Sequence, residues 1–155
     1  MEPVAEPLEL PDGYGTTTTT LAWADVRARL ETATQYWVAT TLAGGRPHAV
    51  PVDGLWLDDL WYWGGSDQAV HYRSALANPQ VVMHLPDPAR AVVVEGTAGL
   101  ARPSPALAER LVQASKAKYG YAPPASGYDG ALALRPRLVL AWSAFPKDAT
   151  RFRFT

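Results

Sequence analysis

The sequence predicts a mainly β protein, a small antiparallel barrel of six or more strands with a few helices capping its gaps. Runs with the two-residue period of strands recur from Gln35 onward. They are joined by tight turns built on Gly, Asp and Pro, and strands joined so closely are antiparallel. Helical-period segments interrupt them, giving the order helix, four strands, helix, two strands, helix, two strands. Six or more such strands in about 120 residues point to closure into a barrel. A length of 155 residues favours one domain spanning the chain, 1–155.

Residues 1–15 read as an irregular arm, and Thr16 to Thr20 as a solvated stretch or an edge strand. Thr20 is the expected cap of a helix over 21–34, with Trp23, Val26 and Leu30 as its core stripe. A strand follows over 35–41, then the turn Ala43-Gly44-Gly45-Arg46, where glycine supplies positive φ. The next strand, 47–52, carries Pro47 and Pro51. Proline has no N–H for a ladder, so this strand belongs at a sheet edge or is partly unpaired. Gly54 allows a bend into a hairpin, 55–57 with 60–63, across Asp58-Asp59. Alternation puts Trp61 and Trp63 on one face and Tyr62 on the other.

Gly64-Gly65 break the sheet, and Asp67 is the expected cap of a helix over 68–77. Ala69, Tyr72 and Leu76 share one face of it, and His71 and Ser74 another; Pro79 stops it. Strands over 80–85 and 91–98 flank the turn 86–90. Ser104 caps a longer helix with Pro105 at its first position, Leu107, Leu111 and Ala114 as its stripe and Gly120 as its stop. A Pro/Gly-rich loop over 121–130 leads to the last strands, 131–144 and 150–154.

Composition excludes several classes. With 48% hydrophobic residues the chain can build a core, and a net charge of −1 gives no sign of a nucleic-acid or membrane partner. The apolar runs are too short to span a bilayer, and the arm has neither the basic nor the apolar region of a secretory signal. The absence of cysteine excludes disulfides, thiolate zinc sites and thiol nucleophiles, which fits a cytoplasmic protein. The three histidines, His48, His71 and His84, lack helical metal-site spacing and read as structural, so no metal is expected. There is no GxSxG elbow, GxGxxG or P-loop. Six Trp and seven Tyr are many for this length; packing is the commoner use of any one of them.

A flat, phosphate-bearing ligand fits the segment from Tyr36 to Pro79 best. Arg46 follows the glycine turn, and Arg73 stands beside His71 and Tyr72 on the short helix, so both can meet a phosphate or simply face solvent. Gly64, Gly65 and Ser66 can present N–H groups at that helix's start. The proline-bearing strand leaves backbone groups free for a ring edge, and Trp37, Trp56, Trp61 and Trp63 could wall the slot. No acid–base pair is required when a cofactor carries the chemistry, so no catalytic residue is assigned. Asp53, the nearest carboxylate, reads as the start of a turn with Gly54.

These stretches together resemble the pyridoxamine 5′-phosphate oxidase-like superfamily of FMN-binding split barrels, and within it the flavin/deazaflavin oxidoreductases, many of which use F420. The likeness runs through Gly13-Tyr14-Gly15, Tyr36-Trp37-x-Ala39-Thr40, Gly45-Arg46-Pro47-His48-x-x-Pro51-Val52 and Asp53-Gly54-x-Trp56. It continues through Leu76-x-x-Asn78-Pro79-x-Val81, Val94-Glu95-Gly96-Thr97-Ala98, Lys118-Tyr119-Gly120, Ala141-Trp142 and Ala149-Thr150-Arg151-x-Arg153-Phe154. The resemblance implies a six- to eight-stranded antiparallel split β-barrel that forms a homodimer with its cofactor, F420 or FMN, at the subunit interface. It implies hydride transfer to a small unsaturated substrate chosen by the 121–130 loop, the N-terminal arm and the partner subunit. The alternative is a non-catalytic dimer that binds a flavin- or haem-type ligand. The expected cofactor contacts are Arg46, Pro47, His48, Val50, Pro51 and Val52, then Trp63, Gly64, Gly65, His71, Tyr72 and Arg73. One departure stands out: His71-Tyr72 occupies the place of a common Arg-Lys pair, with Arg73 one residue on.

Overall fold

The structure, a computed structural model, describes residues 2–155. Its elements run β1 (Val4–Pro7), α1 (Trp23–Thr32), β2 (Tyr36–Thr41), β3 (Pro47–Val52), β4 (Leu55–Leu57) and β5 (Leu60–Trp63). They continue with α2 (Val70–Ala77), β6 (Gln80–His84), β7 (Val92–Leu100), α3 (Pro105–Tyr119), a 3-10 turn (Ala125–Tyr128), β8 (Leu132–Ala141) and β9 (Thr150–Arg153). Every pairing is antiparallel, in the order β1-β9-β8-β7-β6-β2-β3, with the β4–β5 hairpin joined to β8 through β5.

The split lies in β8. Along its whole length β8 pairs with β7, but its other edge is shared. Leu132–Leu134 pair there with β5, and Leu138–Ala141 with β9. Pro136 sits at the changeover, where its missing N–H costs no bond, opposite a register shift at Glu95/Gly96. The result is a mainly antiparallel split barrel with three helices.

Alternation along β5 sorts the aromatics between two cores. Trp61 and Trp63 point inward and stack, ring centroids 4.5 Å apart and 13° from parallel. They join Tyr36, Val38, Met83, Val92, Val94 and Phe152 in the barrel interior, closed by Trp23, Val26 and Leu30 of α1. Tyr62 points outward under α3, with Leu55, Leu111, Val112, Tyr128 and Ala131. Burial of each large apolar side chain contributes about 1.5–3 kcal/mol. Trp56, Trp61 and Trp63 are therefore chiefly core; Trp37 is 36% exposed and lies parallel to His84.

Several expectations are corrected. Val4–Pro7 of the arm is a strand, because Glu6 accepts hydrogen bonds from Arg151 and Arg153 and draws it onto β9; Met1 lies outside the described residues. This strand takes the count to nine. Thr20 does not cap α1: the helix starts at Trp23 after Ala22, and the side chain that meets the incoming chain is Thr150, accepting from the Leu21 N–H at 2.8 Å. Nor does Asp67 cap α2, which begins at Val70 after Ala69; Ser66 instead closes a local turn by accepting from the Gln68 N–H. Leu76 is off the core face, which Tyr72, Ser74 and Ala75 supply, and is 45% exposed. On α3 the buried residues are Ala108, Leu111, Val112 and Ser115, so Leu107 and Ala114 only flank the stripe. Ser104, Pro105 and Gly120 bound α3 as their chemistry dictates, Gly120 at φ 80°.

Candidate functional site

β3 is an edge strand, paired with β2 alone. Gly44 and Gly45 turn the chain at φ 85° and 87°, and the Leu42 N–H donates to the Arg46 carbonyl at 2.8 Å. That bond fixes the phase of the ladder, since bonded and non-bonded pairs alternate in an antiparallel hairpin. Thr40/His48, Val38/Val50 and Tyr36/Val52 are the bonded pairs; Thr41/Pro47, Ala39/Ala49 and Trp37/Pro51 are not. Backbone groups of His48, Val50 and Val52 are thus committed to β2. The carbonyls of Pro47, Ala49 and Pro51 and the N–H of Ala49 face the open edge. Both prolines occupy positions where no N–H was needed. Sequence reasoning passed over Ala49, the one N–H donor on that edge; its strand parity with Pro47 and Pro51 was the signal.

β3 runs from Arg46 at the turn into a cavity of about 700 Å³ at Val52. Beyond Val52 the wall continues through Asp53 and Gly54, then Trp63, Gly64 and Gly65 after β5, and His71 and Tyr72 of α2. α3 and the 121–130 segment close the far side with Tyr119, Tyr121 and Tyr128. The Tyr119 hydroxyl ties the two sides together: it accepts from the Gly54 N–H at 3.0 Å, with the Gly54 and Thr34 carbonyls at 2.9 and 3.0 Å. Tyr72 donates to the Gly130 carbonyl at 2.6 Å, so its hydroxyl joins α2 to the loop before β8.

Of the residues expected to contact a cofactor, Val52, Trp63, Gly64, Gly65, His71 and Tyr72 come together on this cavity. Arg46, Pro47, His48, Val50, Pro51 and Arg73 lie outside its wall. Arg46 and Arg73 are exposed, and neither forms an ion pair among the described residues. The N-terminal arm is absent from the lining; its strand β1 ends the sheet opposite β3. Burial, and then the charge of His48, hold the His71 imidazole below its ordinary pKa. No cation at neutral pH therefore replaces the basic pair at His71-Tyr72.

A ring fits these surroundings. The cavity lies within the usual range of about 300–1,000 Å³ for ligand sites, and the free edge of β3 offers one donor and three acceptors beside it. A phosphate does not fit inside, because no lysine or arginine lines the cavity among the described residues. Its cations would be Arg46 and Arg73, on the surface.

Comparison with known proteins agrees with this architecture. Residues 22–143 match the family described as pyridoxamine 5′-phosphate oxidase, so the chain belongs to that family. No curated protein matches it by sequence. Among solved structures it is similar to a conserved hypothetical protein from Mycobacterium tuberculosis, at TM-score 0.66 and 16% identity, covering 80% of this chain and 86% of that one. It is also similar to an FAD-binding protein from Mycobacterium smegmatis, at TM-score 0.57 and 18% identity, covering 88% and 100%. An F420 reductase matches at TM-score 0.57 and 24% identity, covering 84% and 98%. At these identities the likeness shows the fold. No described helix is long and apolar enough to cross a membrane.

Proposed function

We propose that this protein is a flavin-type oxidoreductase that binds F420 or FMN and acts in the cytoplasm on a small unsaturated substrate. The observation that carries the reading is the unpaired edge of β3 running into the aromatic cavity at Val52. The ring would lie at the cavity mouth against the Ala49 N–H and the carbonyls of Pro47 and Pro51, with its phosphate toward Arg46 or Arg73. The cofactor supplies the hydride chemistry; this chain's residues bind, orient and exclude water. An edge strand left open also suits a homodimer, in which a second copy completes the cofactor groove. Structures of the same fold include an F420 reductase and an FAD-binding protein, and haem-binding proteins as well, so the flavin-type reading rests on the open β3 edge beside the cavity.

Titration of the purified protein with FMN and with F420, followed by absorbance and fluorescence, tests this reading. Failure of both to bind at about tens of micromolar, a free energy near −6 kcal/mol, overturns it. Arg46→Ala should weaken binding by about 1.5–3 kcal/mol if its guanidinium holds the phosphate. Ala49→Pro should weaken it by about 1–3 kcal/mol while sparing the β2–β3 ladder, which does not use that N–H. Turnover of the reduced cofactor with an enone separates an enzyme from a carrier.

A further inference from the structure

The cavity has a chemical character that a flavin reading does not require. Six aromatic residues are part of its wall: Tyr62, Trp63, Tyr72, Tyr119, Tyr121 and Tyr128. Three phenols are anchored through their oxygens: Tyr72 to Gly130, Tyr119 to Gly54 and Thr34, and Tyr128 to the Leu111 carbonyl. With their hydroxyls spent on the backbone, these residues offer a ligand mainly their rings. Tyr62 is 4% exposed, and its hydroxyl makes no hydrogen bond among the described residues.

The charge on the wall has one sign. Asp53 and Asp67 are part of the lining, and no lysine or arginine is among the described residues there. His71 adds no compensating cation at neutral pH, and Arg46 and Arg73 stand off the wall. Aromatic faces carry a negative quadrupole and attract cations, more strongly where water is excluded. Carboxylates at the same cavity add a Coulomb attraction of the same sign. An anion meets both effects as repulsion.

We infer that this cavity, between the α3 tyrosines on one side and Asp53 and Asp67 on the other, is a subsite for a planar aromatic cation, such as an N-alkylated or protonated heteroaromatic ring, and that it rejects carboxylates and phosphates. This deepens the proposed function by naming the substrate class of the same site. It rests on the cavity wall rather than on cofactor identity. A cofactor phosphate is consequently kept at the surface while the substrate ring enters the cage.

Calorimetric titration of the cofactor-free chain with three bicyclic probes of similar size tests it: 1-methylquinolinium, neutral quinoline and 1-naphthoate. The cation should bind about tenfold or more tighter than quinoline, and naphthoate weakest. The cation's advantage should shrink as salt is added. Asp53→Asn with Asp67→Asn should bring the cation down to the affinity of quinoline and leave quinoline unchanged. Both aspartates are exposed, so a melting curve matching the parent checks that the double variant folds. Naphthoate binding as tightly as methylquinolinium, a cation preference that survives the double variant, or no binding of any probe overturns the inference. Because FMN and F420 are titrated separately, loss of the cofactor reading leaves a cation preference visible, and the reverse.

Discussion

The indole N–H of Trp63 donates to Nδ1 of His71 across 3.3 Å, joining the last residue of β5 to the first turn of α2. The direction of that bond fixes the tautomer: Nδ1 accepts, so the imidazole proton is on Nε2. The Nε2 edge lies against Gly65, where an added Cβ would sit 3.5 Å from both Cε1 and Nε2. Protonating Nδ1 would place two donors face to face. The bond thus holds the cavity wall together only while His71 is neutral.

Stability should therefore fall on mild acidification. The folded His71 has its pKa lowered from 6.5, by burial first and by His48 second. Between 6.5 and that lower value the unfolded chain binds more protons than the folded one, so stability is full above 6.5 and drops as pH falls through the folded value. Urea midpoints between about pH 7.5 and about pH 5 should show a steeper decline in the parent than in His71→Gln. Parallel declines would remove His71 from this role.

Lys118 should behave in the opposite region of the pH scale. Its Nζ donates to the Tyr36 hydroxyl at 2.8 Å and lies 5.2 Å from that ring's centroid. Burial lowers the amine from 10.5 to about 8, against an opposing pull from Glu31. The folded chain releases this proton near 8 and the unfolded chain near 10.5, so stability should rise with pH across that window. Lys118→Met should abolish the rise, and NMR of the labelled ε-amine should show a midpoint near 8.

Removing the Tyr119 hydroxyl should loosen the cavity from the α3 side. Tyr119→Phe leaves the Gly54 N–H without its acceptor, a loss of about 1–3 kcal/mol where that group stays out of water. Hydrogen exchange should report it first at the Gly54 amide, ahead of the β7–β8 ladder. Unchanged exchange there would mean water replaces the hydroxyl at no cost.

Two glycines of β7 should respond differently to alanine. At Gly96 an added Cβ would run into the carbonyl of Arg135 on β8, at the register shift; at Gly99 nothing lies within 4 Å. Gly96→Ala should cost about 2–4 kcal/mol, because backbone must move, and Gly99→Ala should stay within about 1 kcal/mol of the parent. Denaturation midpoints of the two variants check the contrast.

Much of the fold was legible because its signals are local. Asp58 and Asp59 take φ 53° and 57° in the hairpin turn, as short polar residues there can. Pro47 and Pro51 announced an edge strand, and the structure puts β3 at one. The arm misled because Glu6 finds its partners, Arg151 and Arg153, at the other end of the chain. Capping misled at Thr20 and Asp67 because each helix starts further on, after Ala22 and Ala69, with no side-chain cap.

From the order of residues alone follow the alternation that sends Trp61 and Trp63 inward and Tyr62 outward, the turns, and the proline phase that leaves one edge of β3 open. Each follows from the stereochemistry of a few neighbouring residues. That Val52, His71, Tyr119 and Tyr128 share one cavity, and that Arg46 and Arg73 do not line it, comes from long-range packing. Those residues meet through α3 and the β8 branch point, across separations in sequence that no local period encodes.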